Sequence, residues 1–252
     1  MAAAEVVAEF PQGLRIERVV TSGQFTLDGG TWDVDNNVWL IGNDSEVVVI
    51  DPSHDPDAIL GAVGDREVLL VVCTHGHNDH IDAAVEVAAE KDAEIALHPK
   101  DGMLWHEEYG KDLRWDVDLA DGGAITVAEC ELTVLHTPGH TPGAICLHAP
   151  DVDVVFTGDT LFRGGPGATG RKYSSSELIL RSIRRKLLQL PAETRVLTGH
   201  GDETTIGAEA VHYDSWLERE MMPTKMTSEE MTSGEDGGSD GPDPAASGGA
   251  RG

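Results

Sequence analysis

The sequence predicts an α/β fold in which two sheets pack face to face with helices on the outside. Three observations carry this reading. Short apolar runs alternate with amphipathic stretches, strand-rich halves are each followed by helical segments, and 252 residues are enough for one large domain with a substantial core.

Taken in order, residues 37–41 and 46–51 read as a hairpin turning at Gly42-Asn43-Asp44. Residues 67–73 form a buried strand that runs straight into a histidine-rich loop. Residues 81–91, rich in Ala and Glu with apolar helical spacing, predict a helix beginning just after that loop. Further strands are expected at 94–97, 124–128, 131–136, 144–148, 152–157 and 195–198, with helices at 175–189 and 207–220. From about residue 221, Gly, Ser, Pro and acids displace nearly every aliphatic side chain, so the segment cannot bury enough apolar area to offset its ordering entropy. The chain is therefore expected to comprise one domain over 1–220 and a disordered acidic tail over 221–252.

Composition narrows the function. Eighteen basic residues against 45 acidic ones give a net charge of −27, which repels phosphate backbones and anionic headgroups alike. Nucleic-acid and membrane partners are disfavoured, and a small-molecule substrate is expected. Cys73, Cys130 and Cys146 each sit in a strand-like run and read as buried free thiols of a reducing compartment. The opening residues have no basic region, and Glu5 and Glu9 interrupt any apolar stretch; no segment approaches the ~20 apolar residues of a membrane span. A soluble, cytoplasmic protein is the expectation.

The chemistry concentrates in LLVVCTHGHNDH, where His75, His77, Asp79 and His80 follow a buried strand. A strand end aims a loop rigidly, and neutral imidazoles with a carboxylate are the donors a borderline divalent cation such as zinc prefers. His140, Asp159 and His200 each recur at the end of a later apolar run, beside Gly or Pro residues that permit sharp turns. Each alone reads as a loop residue. Together they form a pattern.

That pattern, H-x-H-x-D-H followed by His, Asp and His after successive strands, resembles the metallo-β-lactamase superfamily over residues 36–209. The phrases DNNVWLIG, THGHNDH, HTPGHTPG, GDTLF and LTGHGDETTIG are most similar to its glyoxalase II (hydroxyacylglutathione hydrolase) branch. The resemblance implies an αββα sandwich, two mixed β-sheets flanked by helices, with metals at one edge. His75, His77 and His140 would hold a first divalent ion, Asp79, His80 and His200 a second, and Asp159 would bridge them. Zinc is the expected metal, with iron or a mixed pair as alternatives. Asp79 would also orient the hydroxide held between the ions, giving a metallohydrolase that cleaves acyl thioesters of a low-molecular-weight thiol.

Two departures from that branch stand out: low-complexity sequence where its closing helical domain would lie, and a distinct loop, RGGPGATGRKYSS, after Asp159. Arg171, Lys172 and Tyr173 in this loop are candidate contacts for an anionic or polar substrate. Asp51 is expected to orient a metal-bound histidine, and His54 reads as a turn residue. His98, His106, His136, His148 and His212 read as surface or satisfied core residues. A mononuclear iron persulfide dioxygenase, a lactonase and a non-catalytic metal-binding scaffold remain alternatives at this point.

Overall fold

The computed structural model describes residues 4–221; the expected tail lies, past Met221, outside them. In the first half, β1 (Glu5–Glu9), β2 (Arg15–Leu27), β3 (Gly30–Gly42) and β4 (Glu46–Ile50) are successive antiparallel neighbours. Helix α1 (Pro56–Val63) then crosses to β5 (Glu67–Val72). Helices α2 (Asn78–Ile81) and α3 (Ala84–Lys91) cross to β6 (Ile95–Leu97), and α4 (Gly102–Tyr109) to β7 (Val117–Asp118). Strands β4 to β7 are parallel, as helical crossovers require.

The second half builds another sheet from β8 (Ala124–Val127), β9 (Cys130–His136), β10 (Ile145–Ala149) and β11 (Val154–Gly158). A short ribbon, β12 (Leu161–Phe162) with β13 (Gly165–Pro166), precedes α5 (Ser176–Ser182), which continues as a wider turn to Leu187. Then come β14 (Arg195–Thr198), β15 (Thr204–Thr205), α6 (Ile206–Ala210) and α7 (Tyr213–Met221). The sheet order is β15-β14-β11-β10-β9-β8, with β11 and β14 parallel and the other pairs antiparallel. Both sheets are mixed.

The period of two along each strand sorts the core into three slabs. Val38, Leu40, Val47, Val49 and Val71 face outward under α1 and α3. The residues between them, Trp39, Ile41, Val48, Ile50 and Val72, face inward onto Ile145, Leu147, Phe156 and Leu197 of the other sheet. Cys146, Val155 and Val196 point outward again beneath Ile179, Ile183 and Trp216. The layers are therefore αββα. All three cysteines are buried free thiols.

The structure corrects several element expectations. Strand β2 and the outer half of β3 were not anticipated, because Arg15–Leu27 carries polar residues on its exposed face and lacks a continuous apolar run. The signal was Asp28-Gly29, whose φ angles of 51° and 80° make the two-residue turn joining Leu27 to Gly30. The helix expected at 81–91 breaks at Asp82-Ala83, where the Ala83 N–H leaves the helical ladder for the Pro52 carbonyl. Helices α1 and α4 were missed, and the helix expected at 207–220 divides into α6 and α7.

Phe156 is fully buried at the centre of the inner slab, in edge contact with Trp39. Phe156→Ala is expected to lower unfolding free energy by about 3–5 kcal/mol in urea titration, the cost of an aromatic removed from a closed core.

Candidate metal centre

Strands β4 and β5 of one sheet and β9, β11 and β14 of the other end at a common edge, and the segment after each carries polar side chains into it. The loop after β5 supplies His75 and His77, and the turn α2 supplies Asp79 and His80. His140 follows β9, Asp159 follows β11 and His200 follows β14. The structure thus brings together all seven residues that the motifs singled out.

They form two clusters, and Asp51 makes a third, overlapping group with His75 and His80. In the first, His77 Nδ1 lies 3.1 Å from His75 Nε2 and 3.0 Å from His140 Nε2. In the second, His80 Nε2 and His200 Nε2 are 3.2 Å apart, and Asp79 Oδ2 stands 3.7 and 3.4 Å from them. Asp159 joins the two: Oδ1 is 3.3 Å from His80 Nε2, and Oδ2 is 3.4 Å from His140 Nε2 and 3.6 Å from His200 Nε2.

The opposite ring nitrogens are tied down, which fixes what converges. His140 Nδ1 donates to the Ala168 carbonyl at 2.8 Å and His200 Nδ1 to the Asp35 carbonyl at 2.7 Å. Asp51 accepts the Thr74 hydroxyl and His80 Nδ1 on Oδ2, at 2.7 and 3.0 Å, and the Thr74 N–H on Oδ1. With its proton committed to Asp51, the Thr74 oxygen accepts from His75 Nδ1 at 3.1 Å. The remaining nitrogens of these histidines therefore converge on one another and on the carboxylates, and Asp79 Oδ1 and Asp159 Oδ1 are buried without a hydrogen bond. A cation bound among them would satisfy such a set. The nitrogen separations approach the ~3.3 Å that two Zn–N bonds of about 2.0–2.1 Å span in a tetrahedral site. The residues present fit a two-metal site.

Electrostatics divide the clusters. Burial, reinforced by neighbouring imidazoles, holds His75 well below the usual histidine range and His77 down at about 3; burial also lowers His140. In the second cluster burial again opposes charge, but Asp159 and Asp79 outweigh it, raising His80 well above its usual value and His200 to about 10. Burial likewise opposes ionisation of Asp79 and Asp159, and His80 and His200 overcome it, lowering both, Asp159 by far the more.

Two further residues support the centre. Asp51 does so as expected. Asp101, which the sequence reading passed over, is fully buried and accepts from Gly76 N at 2.9 Å, Thr141 Oγ1 at 2.6 Å and Gly143 N, tying the His75–His77 loop to the turn that carries His140. Burial pushes its carboxyl up to about 6 despite these donors. Its one sequence cue was a lone acid after a short strand, which is indistinguishable from a helix cap.

A cavity of about 450 Å³ opens onto both clusters. Its wall includes Phe25 and Trp32 from the β2–β3 arm, together with Phe162 and Arg171. The Arg171 guanidinium lies 4.0 Å over the Trp32 ring and 5.5 Å from Phe25, which packs on His77. Lys172 and Tyr173 differ: the Lys172 ammonium pairs with Glu107 at 2.8 Å, and the Tyr173 hydroxyl contacts the same carboxylate. Of the three candidate substrate contacts, the fold thus leaves Arg171 uncommitted at the cavity. His98 and His136 stack on each other away from the clusters, at 4.2 Å.

A sequence profile of the metallo-beta-lactamase superfamily matches residues 31–200. The chain belongs to that superfamily. Hydroxyacylglutathione hydrolase GloC of Haemophilus influenzae is 34% identical over 188 residues, covering 69% of this chain and 89% of GloC. Hydroxyacylglutathione hydrolase of Cereibacter sphaeroides is 33% identical over 171 residues, covering 66% of this chain but 62% of that protein. Among solved structures, TTHA1623 in a di-iron-bound form superposes with a TM-score of 0.63 at 32% identity, over 70% of this chain and 93% of the other. The glyoxalase II-like resemblance and the αββα superfamily fold read from the motifs are borne out. Among the described residues, no helix is long and apolar enough to cross a membrane.

Metal loading should differ between the clusters. His75, His77 and His140 are already neutral at pH 7, so a cation entering there displaces no proton. One entering beside Asp79, His80 and His200 must displace the protons that the carboxylates hold on His80 and His200. Calorimetry in buffers of different ionisation enthalpy should show proton release confined to the second equivalent, whose apparent affinity rises with pH. Equal release by both equivalents would contradict the assignment.

Proposed function

We propose that this protein is a two-metal hydrolase of acyl thioesters, releasing a low-molecular-weight thiol in the manner of the glyoxalase II-like branch. His75, His77 and His140 would hold one cation and Asp79, His80 and His200 the other, with Asp159 in reach of both groups and zinc the metal best suited to this imidazole-rich donor set. Two divalent ions bound there supply Lewis acidity and bring the pKa of water towards neutrality.

The observation that carries the substrate class is the absence of a free general acid among the described cavity residues. Arg171 does not release its proton, and Lys172 is held protonated by its hydrogen bond to Glu107. Ser174 spends its hydroxyl proton on the Arg171 carbonyl. A leaving amine or alkoxide would need protonation that no such group offers. A thiolate, whose parent thiol has a pKa of ~8.5, departs without it.

The chain's own residues divide the remaining work. Asp79 and Asp159 accept hydrogen bonds from the attacking water and hold it facing the cavity. Phe25, Trp32 and Phe162 give the acyl chain an apolar wall that excludes bulk water. Arg171, braced on Trp32, meets polar or anionic groups of the carrier thiol. The expected site of action is the cytoplasm, where buried free thiols persist.

Thiol release from a lactoylated thiol tests this reading. The zinc-loaded protein should release thiol, the chelated protein should not, and zinc should restore the rate; a fully loaded protein inert towards thioesters would overturn the proposal. Arg171→Ala is expected to raise KM about tenfold with kcat little changed, whereas Lys172→Ala leaves both near the parent values.

A further inference from the structure

Behind Asp79 a line of side chains leads away from the metal edge. Asn36 Nδ2 lies 2.7 Å from the Asp79 backbone oxygen and 3.3 Å from its Oδ2. Asn36 Oδ1 is 3.0 Å from His54 Nε2. His54 Nδ1 is 2.9 Å from Asp82 Oδ2, and the other oxygen of Asp82 accepts the His54 backbone N–H at 2.7 Å.

Donor and acceptor roles along this line are forced. A backbone carbonyl only accepts, so the amide nitrogen of Asn36 must face Asp79 and its oxygen must face His54. An amide oxygen also only accepts, so His54 Nε2 carries a hydrogen. Asp82, a quarter exposed, takes the His54 backbone N–H on one oxygen and faces its Nδ1 with the other. We infer that this Asp82–His54–Asn36 relay is a positioning device for Asp79.

Local structure is shaped to admit the ring. His54 has φ of 62°, a left-handed conformation that costs a β-carbon-bearing residue free energy and persists only where surroundings impose it. Its side chain is 3% exposed. The ring lies against the bare backbone of β2 at Gly23, where an added Cβ would stand 2.2 Å from Nδ1. A turn residue needs none of this. The relay also fixes one rotamer of Asn36, whose amide then presents hydrogens to a carboxylate that must keep one lone pair for a cation.

The inference rests on Asp79 being a metal ligand, but its tests do not rest on any activity. In full-length zinc-loaded protein with labelled histidines, long-range proton–nitrogen spectra at pH 7 should show His54 Nε2 carrying hydrogen, assigned by the signals lost in His54→Gln. A bare Nε2 at His54 overturns the relay. Competition with a chelating dye should show zinc affinity at the Asp79-containing cluster falling about 10–100-fold in His54→Gln and in Gly23→Ala, with the His75/His77/His140 cluster unchanged. Adding Asn36→Ala to His54→Gln should cause little further loss, because both act through one path. Additive losses, or equal losses at both clusters, refute the relay. Should His54→Gln fail to fold, Asp82→Asn leaves the ring in place and reads the same affinity.

Discussion

Two buried carboxylates stand 3.3 to 3.7 Å from imidazole nitrogens at the edge where the sheets meet, and neither Asp79 nor Asp159 has its full complement of hydrogen bonds. Such an arrangement is unfavourable unless positive charge stands within it. Protons on His80 and His200 meet the need at one cluster. At the other, burial keeps the histidines neutral, so their converging lone pairs are available to a cation. The constraint is therefore a demand for cations, and much of the surrounding polar structure serves to keep the ligand atoms from relaxing out of it.

The sandwich resists that relaxation. Strands β5, β11 and β14 are buried on both faces, so the loops leaving them start from backbone that cannot shift without disturbing two slabs of packing. Acceptors on other elements then fix three of the imidazoles: Asp51 after β4 holds His80, the Ala168 carbonyl in the loop after β13 holds His140, and the Asp35 carbonyl on β3 holds His200. Asp101 joins the two loops of the first cluster from the start of α4. The ties of His200 to Asp35 and of Thr141 and Gly143 to Asp101 run between the two halves of the chain, so the centre forms only when both are folded.

This explains which features were legible in the sequence. Metal-binding chemistry demands particular residue types, and His75-x-His77-x-Asp79-His80 packs them into a short loop that little else explains. The apolar runs of β4, β5 and β11 were legible because burial on both faces leaves no polar positions. Strand β2 was not, since its outer half is exposed and alternates with polar residues. Asp101 and His54 were illegible for a different reason: an isolated Asp or His has no local pattern, and its role arises from partners 25 to 42 residues away in one case and 18 to 28 in the other. Likewise Lys172 and Tyr173 looked equivalent to Arg171 until Glu107, brought over by α4, claimed both.

That difference bears on specificity. In a chain with net charge −27, a basic side chain is readily drawn to a carboxylate, and Arg15, Arg18, Arg66, Arg163 and Arg195 all are. Arg171 is instead stacked on Trp32, at the end of an arm that contributes little to the core and whose indole is 41% exposed. Stacking satisfies the face of the guanidinium but leaves its in-plane N–H donors free for a planar anion or amide. The same arm places Phe25 against His77. A single hairpin thus links the metal ligands to the only cation of the cavity wall that no acid has claimed among the described residues, with Phe25 against His77 at one point and Trp32 against Arg171 at another.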